Sequence, residues 1–141
     1  MSSSRAKILV IDDDPDVLLL LRYTLEAEGF HPSLAGEGET ALRRIEGEHP
    51  DLVLLDVMMP VMDGWAVLDG ISGLSRPPRV IVVSAKSGEI DRVRAIKLGA
   101  SEYVTKPFDP EALVKLVRAV LERSPAEQDR RRSEQLASLR A

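Results

Sequence analysis

Four places in the sequence hold residues that could do chemistry together: the acidic run Asp12-Asp13-Asp14, then Asp56, Ser84 and Lys106. Each stands at or just past the end of an apolar, strand-like run: KILVI at 7–11, DLVLLDV at 51–57, RVIVV at 79–83 and EYVT at 102–105. An unpaired carboxylate inside a strand buried on both faces is costly, so Asp56 must sit at the strand's exit or have partners. The gaps from Asp13 to Asp56, to Ser84 and to Lys106 are 43, 28 and 22 residues, each matching one or two strand–helix units. The four exits would then line one edge of a sheet. Acids crowded around Asp56 resist joint ionisation unless a cation sits among them. Carboxylate oxygens with room for water suit Mg²⁺, and Lys106 adds a second positive charge. A cation, a lysine and a hydroxyl suit an anionic phosphoryl group, whose transfer depends mostly on positioning and charge neutralisation. Asp56 is the natural nucleophile of such a site.

The elements that must hold these residues follow from the pattern. Strands at 7–11, 32–35, 51–57, 79–83 and 102–105 alternate with helical segments at about 15–28, 37–48, 64–73, 88–98 and 110–123, the signature of a parallel sheet covered on both faces. Asp14-Pro15 and Asp109-Pro110 read as helix starts, and Gly29 and Gly99 stand where helix C-terminal caps belong. In such sheets, sites gather beyond the carboxyl ends of the strands.

Composition narrows the class. The chain has 141 residues, 44% hydrophobic and 30% charged, with a net charge of −4. That suits one domain with a modest tail and argues against direct nucleic-acid binding, which needs a basic face. With no cysteine, disulfides and thiolate chemistry are excluded. The N-terminal MSSSRAK lacks the apolar core of a secretory signal, and no apolar run approaches the ~18 residues that span a bilayer, so a cytoplasmic location without membrane contact is expected. The composition shifts after Arg123. Ser124, Pro125 and Glu127 form a capping-box pattern for a sixth helix, either a docked tail or a linker, with thin apolar content in Leu136 and Leu139. The expected division is residues 1–123 as the domain and 124–141 as helical tail or linker.

Together, IDDDPD, LLDVMMPVMDG, VVSA and GASEYVTKPF resemble the receiver domain of two-component response regulators, over about residues 5–123. The resemblance implies a flavodoxin-like (βα)5 fold with strand order 2-1-3-4-5. It implies Asp56 as phosphoacceptor, Asp12 and Asp13 as the acidic metal pair, and the Met58 backbone carbonyl as a further Mg²⁺ ligand. Ser84 matches the hydroxyl that closes on the phosphoryl group, Lys106 the pocket lysine and Tyr103 the aromatic that turns inward on activation. The Lys106-Pro107 bond would be cis. Such a domain takes its phosphoryl group from a sensor histidine kinase or histidine phosphotransfer protein. It is no enzyme toward external substrates, catalysing only its own phosphotransfer and dephosphorylation. An output partner or domain would read the face built by the fourth helix, fifth strand and fifth helix, with a phosphorylation-dependent dimer as one form of output. Departures from the family pattern are Ser84 where threonine is commoner and a third acid, Asp14, after the pair.

Taken singly, these residues have plainer readings: an acidic run as a helix start, Ser84 as a strand-end hydroxyl, Tyr103 as a half-buried aromatic. Trp65 reads as helix packing, His31 and His49 as structural or surface residues, and Arg130-Arg131-Arg132 as a solvated helix face. It is the coincidence of four strand exits that favours a site. Two rivals remain: a phosphorylation-independent receiver-like scaffold and an aspartate-nucleophile phosphatase, the latter lacking its second acid because Met58 stands there. On the first helix, at ~100° per residue from Val17, Leu20, Leu21 and Leu25 fall on the expected core side, and Arg22 and Glu26 on the solvent side. Leu19 lands beside Glu26 and is a candidate anchor for the phosphodonor protein.

Overall fold

The computed structural model describes residues 6–59, 63–86 and 88–140. Pro60, Val61 and Met62 of the LLDVMMPVMDG motif and the side chain of Leu139 lie outside the described residues. Five parallel strands, β1 (Lys7–Ile11), β2 (His31–Ala35), β3 (Leu52–Leu55), β4 (Arg79–Ser84) and β5 (Glu102–Thr105), form one sheet in the order β2-β1-β3-β4-β5. Between them run α1 (Pro15–Ala27), α2 (Gly38–Glu48), α3 (Gly64–Ser72) and α4 (Glu89–Lys97); α5 (Pro110–Glu122) and α6 (Pro125–Arg140) follow. This is the flavodoxin-like topology. β3 stops two residues before the expected end, the chain bending at Val57 just past Asp56, and β4 reaches Ser84.

The central strands are apolar on both faces because helices cover both. On one side Leu9, Ile11, Val53, Leu55 and Val82 pack with α2, α3 and α4; on the other Ile8, Val10, Leu54, Ile81 and Val83 pack with α1 and α5. Helix ends follow local chemistry. The side chains of Asp14, Asp63 and Asp109 accept the second amide of α1, α3 and α5. Gly29 and Gly99 take positive φ after α1 and α4, and His49 closes α2 in the left-handed region at φ 50°. Among the described residues, no helix is long and apolar enough to cross a membrane.

Two expectations need correction. Leu20 is 45% exposed, not core. The buried arc of α1 centres on Leu21 and Leu25, with half-buried Leu18 beyond them, so a wheel zeroed on half-buried Val17 was rotated away from the true core direction. Nor is the Arg130–Arg132 run simply solvated: Arg131 pairs with Glu102 and Arg132 donates to the Lys97 carbonyl, so α6 docks on α4 and β5. Ser124 and Glu127 exchange the two hydrogen bonds of the capping box that starts α6.

Candidate functional site

Register brings the acids together. Ile11 pairs with Leu55, so the next residues of β1 and β3 are Asp12 and Asp56, and the Asp56 amide donates to the Ile11 carbonyl at 2.9 Å. Two strand pairs further, between β4 and β5, Ser84 lies beside Thr105, and the Lys106 amide donates to the Ser84 carbonyl at 2.8 Å. The Lys106-Pro107 peptide is cis. The lysine side chain crosses back over the strand ends, and its Nζ donates to Asp12 Oδ2 at 2.7 Å and Asp56 Oδ2 at 3.1 Å. The second oxygens are occupied by local backbone: Asp14 N–H donates to Asp12 Oδ1 at 2.9 Å and Met58 N–H to Asp56 Oδ1 at 2.8 Å.

Asp12 and Asp56 are 3% and 5% exposed, whereas Asp13 and Met58 face solvent at the rim. Burial pushes the Asp12 carboxyl above its ordinary value, outweighing the Lys106 contact and the Asp14 amide. Lys106 moves the other way relative to burial: desolvation alone would lower it, but the hydrogen bonds and charges of Asp12 and Asp56 together raise it. The contrast follows from exposure, since the lysine side chain keeps 20% of its surface open and that of Asp12 only 4%.

One carboxylate oxygen from each of Asp12, Asp13 and Asp56 falls within 4.8 Å of the others. An all-oxygen, acidic set open to water on one side fits a hard divalent cation such as Mg²⁺. Asp14, by contrast, turns its carboxylate to the α1 amide of Asp16 and stands apart as a cap. Ser84 is fully buried, and its Oγ accepts the Lys86 amide at 3.2 Å. Tyr103 is 7% exposed and donates its hydroxyl to the Lys86 carbonyl at 2.6 Å, so β5 and the loop after β4 are tied together beside the pocket. Burial raises the Tyr103 phenol above its usual range, aided by Asp91 and Asp56.

Sequence reasoning missed two wall residues. Arg94 of α4 stacks 4.2 Å over the Trp65 ring, and both line the groove that also holds Asp13 and Met58. Gly64 permits α3 to lie against the exit of β3, a close approach visible in sequence only as the glycine of a motif.

A doubly wound parallel sheet whose central strands end in an acidic, lysine-crossed crevice defines an open α/β domain with its site beyond the carboxyl ends of the strands. Within that class the chain belongs to the response regulator receiver domain family, whose model matches residues 8–118. It is 42% identical over 118 residues to the alkaline phosphatase synthesis transcriptional regulatory protein PhoP of Bacillus subtilis, covering 84% of this chain and 49% of that protein. It is 43% identical over 118 residues to the transcriptional regulatory protein CpxR of Escherichia coli, covering 84% and 50%. The chain thus spans about half the length of these curated relatives. Among solved structures, a CheY-like receiver domain protein of Methanospirillum hungatei superposes with TM-score 0.80 at 28% identity, over 89% of this chain and 98% of that one. The beryllofluoride-activated DrrB receiver domain gives 0.77 at 33%, over 84% and 99%.

Proposed function

We propose that the domain, residues 1–123, is a phosphorylation-dependent switch that takes a phosphoryl group onto Asp56 and later releases it to water. The observation that carries this reading is the Lys106 ammonium bridging Asp12 and Asp56 on the rigid ends of β1 and β3. That arrangement holds the Asp56 carboxylate between a cation and the Met58 amide, next to the groove lined by Asp13 and Met58. Asp12, Asp13, Asp56 and the Met58 carbonyl would hold Mg²⁺, which supplies charge neutralisation for the transferring phosphoryl oxygens when bound. In the transfer, an Asp56 oxygen bonds to phosphorus as the nitrogen–phosphorus bond of a phosphohistidine breaks, and the donor imidazole leaves with the bonding electron pair. Lys106 is placed to pair with a phosphoryl oxygen in exchange for its carboxylate contacts. Ser84 turns its hydroxyl from the Lys86 amide to the phosphoryl group, and Tyr103 holds the loop after β4 inward.

The partners of this reading are a sensor histidine kinase or histidine phosphotransfer protein upstream and an output domain or protein downstream, with Leu19 of α1 at the donor interface. The relatives named above are transcriptional regulatory proteins of which this chain matches about half, which favours an output segment in the full-length protein. A cytoplasmic setting follows from that role. The test is acid-labile labelling by acetyl phosphate with Mg²⁺. Wild type is expected to label stoichiometrically and Asp56→Asn not at all. No labelling of wild type would favour a phosphorylation-independent scaffold, and sustained turnover of external phosphoesters a phosphatase.

A further inference from the structure

Away from the acidic pocket, a cavity of about 360 Å³ lies between the ends of α3 and α4, the start of β4 and the first turns of α6. Arg79, one of its lining residues, pairs with Leu52 at the start of β3, so the cavity stands a strand's length from the exit that carries Asp56. Its volume falls toward the lower end of the roughly 300–1,000 Å³ typical of small-molecule sites. The apolar lining comes from Ile71 of α3, Val80 of β4, Leu98 at the end of α4 and Pro77 and Pro78 of the loop before β4.

The charged lining has one sign. Arg79, Lys97 and Arg132 bring three cations, and among the described residues no carboxylate lines the cavity. That runs against the chain as a whole, whose net charge is −4. Hydrogen bonding does not remove the excess. Arg79 donates to the Val120 and Arg123 carbonyls at 2.6 and 2.8 Å, and Arg132 to the Lys97 carbonyl at 2.9 Å. Carbonyls are neutral, and among the described residues none of the three cations forms an ion pair.

Helix-end chemistry accounts for each cation singly: Arg79 and Arg132 answer the last carbonyls of α5 and α4, and Lys97 stands in the last turn of α4. It does not call for an aliphatic cavity among them. The neutral polar groups of the lining are already engaged, since Ser72 donates to the Leu98 carbonyl and Gln128 to the Ser101 hydroxyl. A neutral polar ligand therefore meets few unused side-chain donors, whereas an anion meets uncompensated positive charge and gains charge-assisted hydrogen bonds.

We infer that this cavity binds a small organic anion, a carboxylate or phosphate monoester on a compact apolar body, with the body against Ile71, Val80 and Leu98 and the anionic head at Lys97 and Arg132. The inference rests on the cavity and its charges and is independent of the switch reading above.

The experiment is an amide-resonance titration of the full chain in low-salt, phosphate-free buffer. The probes are benzoate, phenyl phosphate, and benzamide and benzamidine as the neutral and cationic counterparts of benzoate. At millimolar concentration at least one of the two anions is expected to move the amides of Leu98, Gly99, Ser101 and Gln128 saturably, with the Asp56 and Met58 amides unmoved. Benzamide should bind at least tenfold more weakly than the better anion, and benzamidine should leave these amides in place. Lys97→Gln and Arg132→Gln, both at exposed side chains, should each weaken the anion at least threefold. Lys115→Gln, at an exposed position of α5 across the sheet, makes the same change in net charge and should leave the affinity unaltered. A preference for phenyl phosphate identifies a phosphate ester as the ligand class and a preference for benzoate a carboxylate, both supporting the site. The inference is overturned if neither anion gives a saturable shift, if benzamide matches the anions, or if Lys97→Gln and Arg132→Gln bind as wild type does. Equal weakening by Lys115→Gln would overturn it as a net-charge effect, and shifts confined to Asp56 and Met58 would do so by placing the anion at the acidic pocket.

Discussion

Gly64 lies so close to Val57 that a Cβ on it would stand 2.3 Å from the Val57 Cα and 2.6 Å from the Asp56 carbonyl oxygen. Both neighbours are backbone, so no side-chain rotation can relieve the clash. Gly64→Ala must push the start of α3 away from the exit of β3, the segment that carries Asp56 and the Met58 amide. Overpacking of this kind costs about 1–3 kcal/mol. The expected result is a lower denaturation midpoint, shifted Asp56 and Met58 amide resonances and weaker Mg²⁺ binding. An unaltered Mg²⁺ affinity would show that the contact has no part in shaping the pocket.

Most of the pocket was legible because its residues stand where apolar runs stop. Strand alternation, proline-marked helix starts and glycine caps located Asp12, Asp56, Ser84 and Lys106 at one sheet edge without any contact being known. What stayed illegible is carried by tertiary pairing. Glu102 and Arg131 are 29 residues apart, and neither stands out from other charged residues until α6 folds back on β5. The Arg94 stacking on Trp65 is of the same kind. Leu20 was misplaced for a different reason: a helical wheel gives relative angles, and the direction of the core must come from residues whose burial is certain, as Leu21 and Leu25 prove to be.

Asp12 sets a pH dependence whose sign is fixed by its raised pKa. The folded state holds the Asp12 proton more tightly than the unfolded chain does, so this group favours folding when protonated. That contribution is fully present below the ordinary value of 3.8 and is lost as pH rises through the higher folded value. Asp12→Asn keeps an oxygen for the Asp14 amide and removes the buried charge. It is expected to be more stable than wild type at pH 7 without Mg²⁺, and to lose that advantage toward pH 3. Urea unfolding across this range checks the sign; a variant less stable at pH 7 would mean that the Lys106 pair outweighs desolvation.

Arg79 opens β4 and reaches over the end of α5, donating to the carbonyls of Val120 at 2.6 Å and Arg123 at 2.8 Å. It thereby caps the last turn of α5 and fixes the junction from which α6 departs. Charge-assisted hydrogen bonds of this type are each worth roughly 1.5–3 kcal/mol. Arg79→Met should cost about that much overall, because the Val120 carbonyl keeps the Arg123 amide at 3.3 Å and Arg123 is only half-buried, so part of the loss is recovered. A fall in urea midpoint with unchanged m value is the expected signature. Full retention of stability would reduce the two contacts to surface decoration.

Leu19 of α1 is 47% exposed, and Leu20 and Tyr23 beside it are 45% and 69% exposed, an apolar patch on the helix that begins at the acidic pocket. Leu21 and Leu25 already fill the core side, so this patch is surplus to folding. On the proposed reading a donor protein brings its phosphohistidine to Asp56 past the start of α1, which would put the patch under the docked partner. One desolvated aliphatic side chain in such an interface is worth on the order of 1 kcal/mol, or about fivefold in affinity. Leu19→Asp should therefore slow phosphoryl transfer from a histidine donor protein by fivefold or more at subsaturating donor. Acetyl phosphate needs no docking surface, and its labelling of Asp56 should proceed at the wild-type rate. Equal slowing with both donors would point to damage in the pocket, and slowing with neither would leave Leu19 as an ordinary exposed leucine.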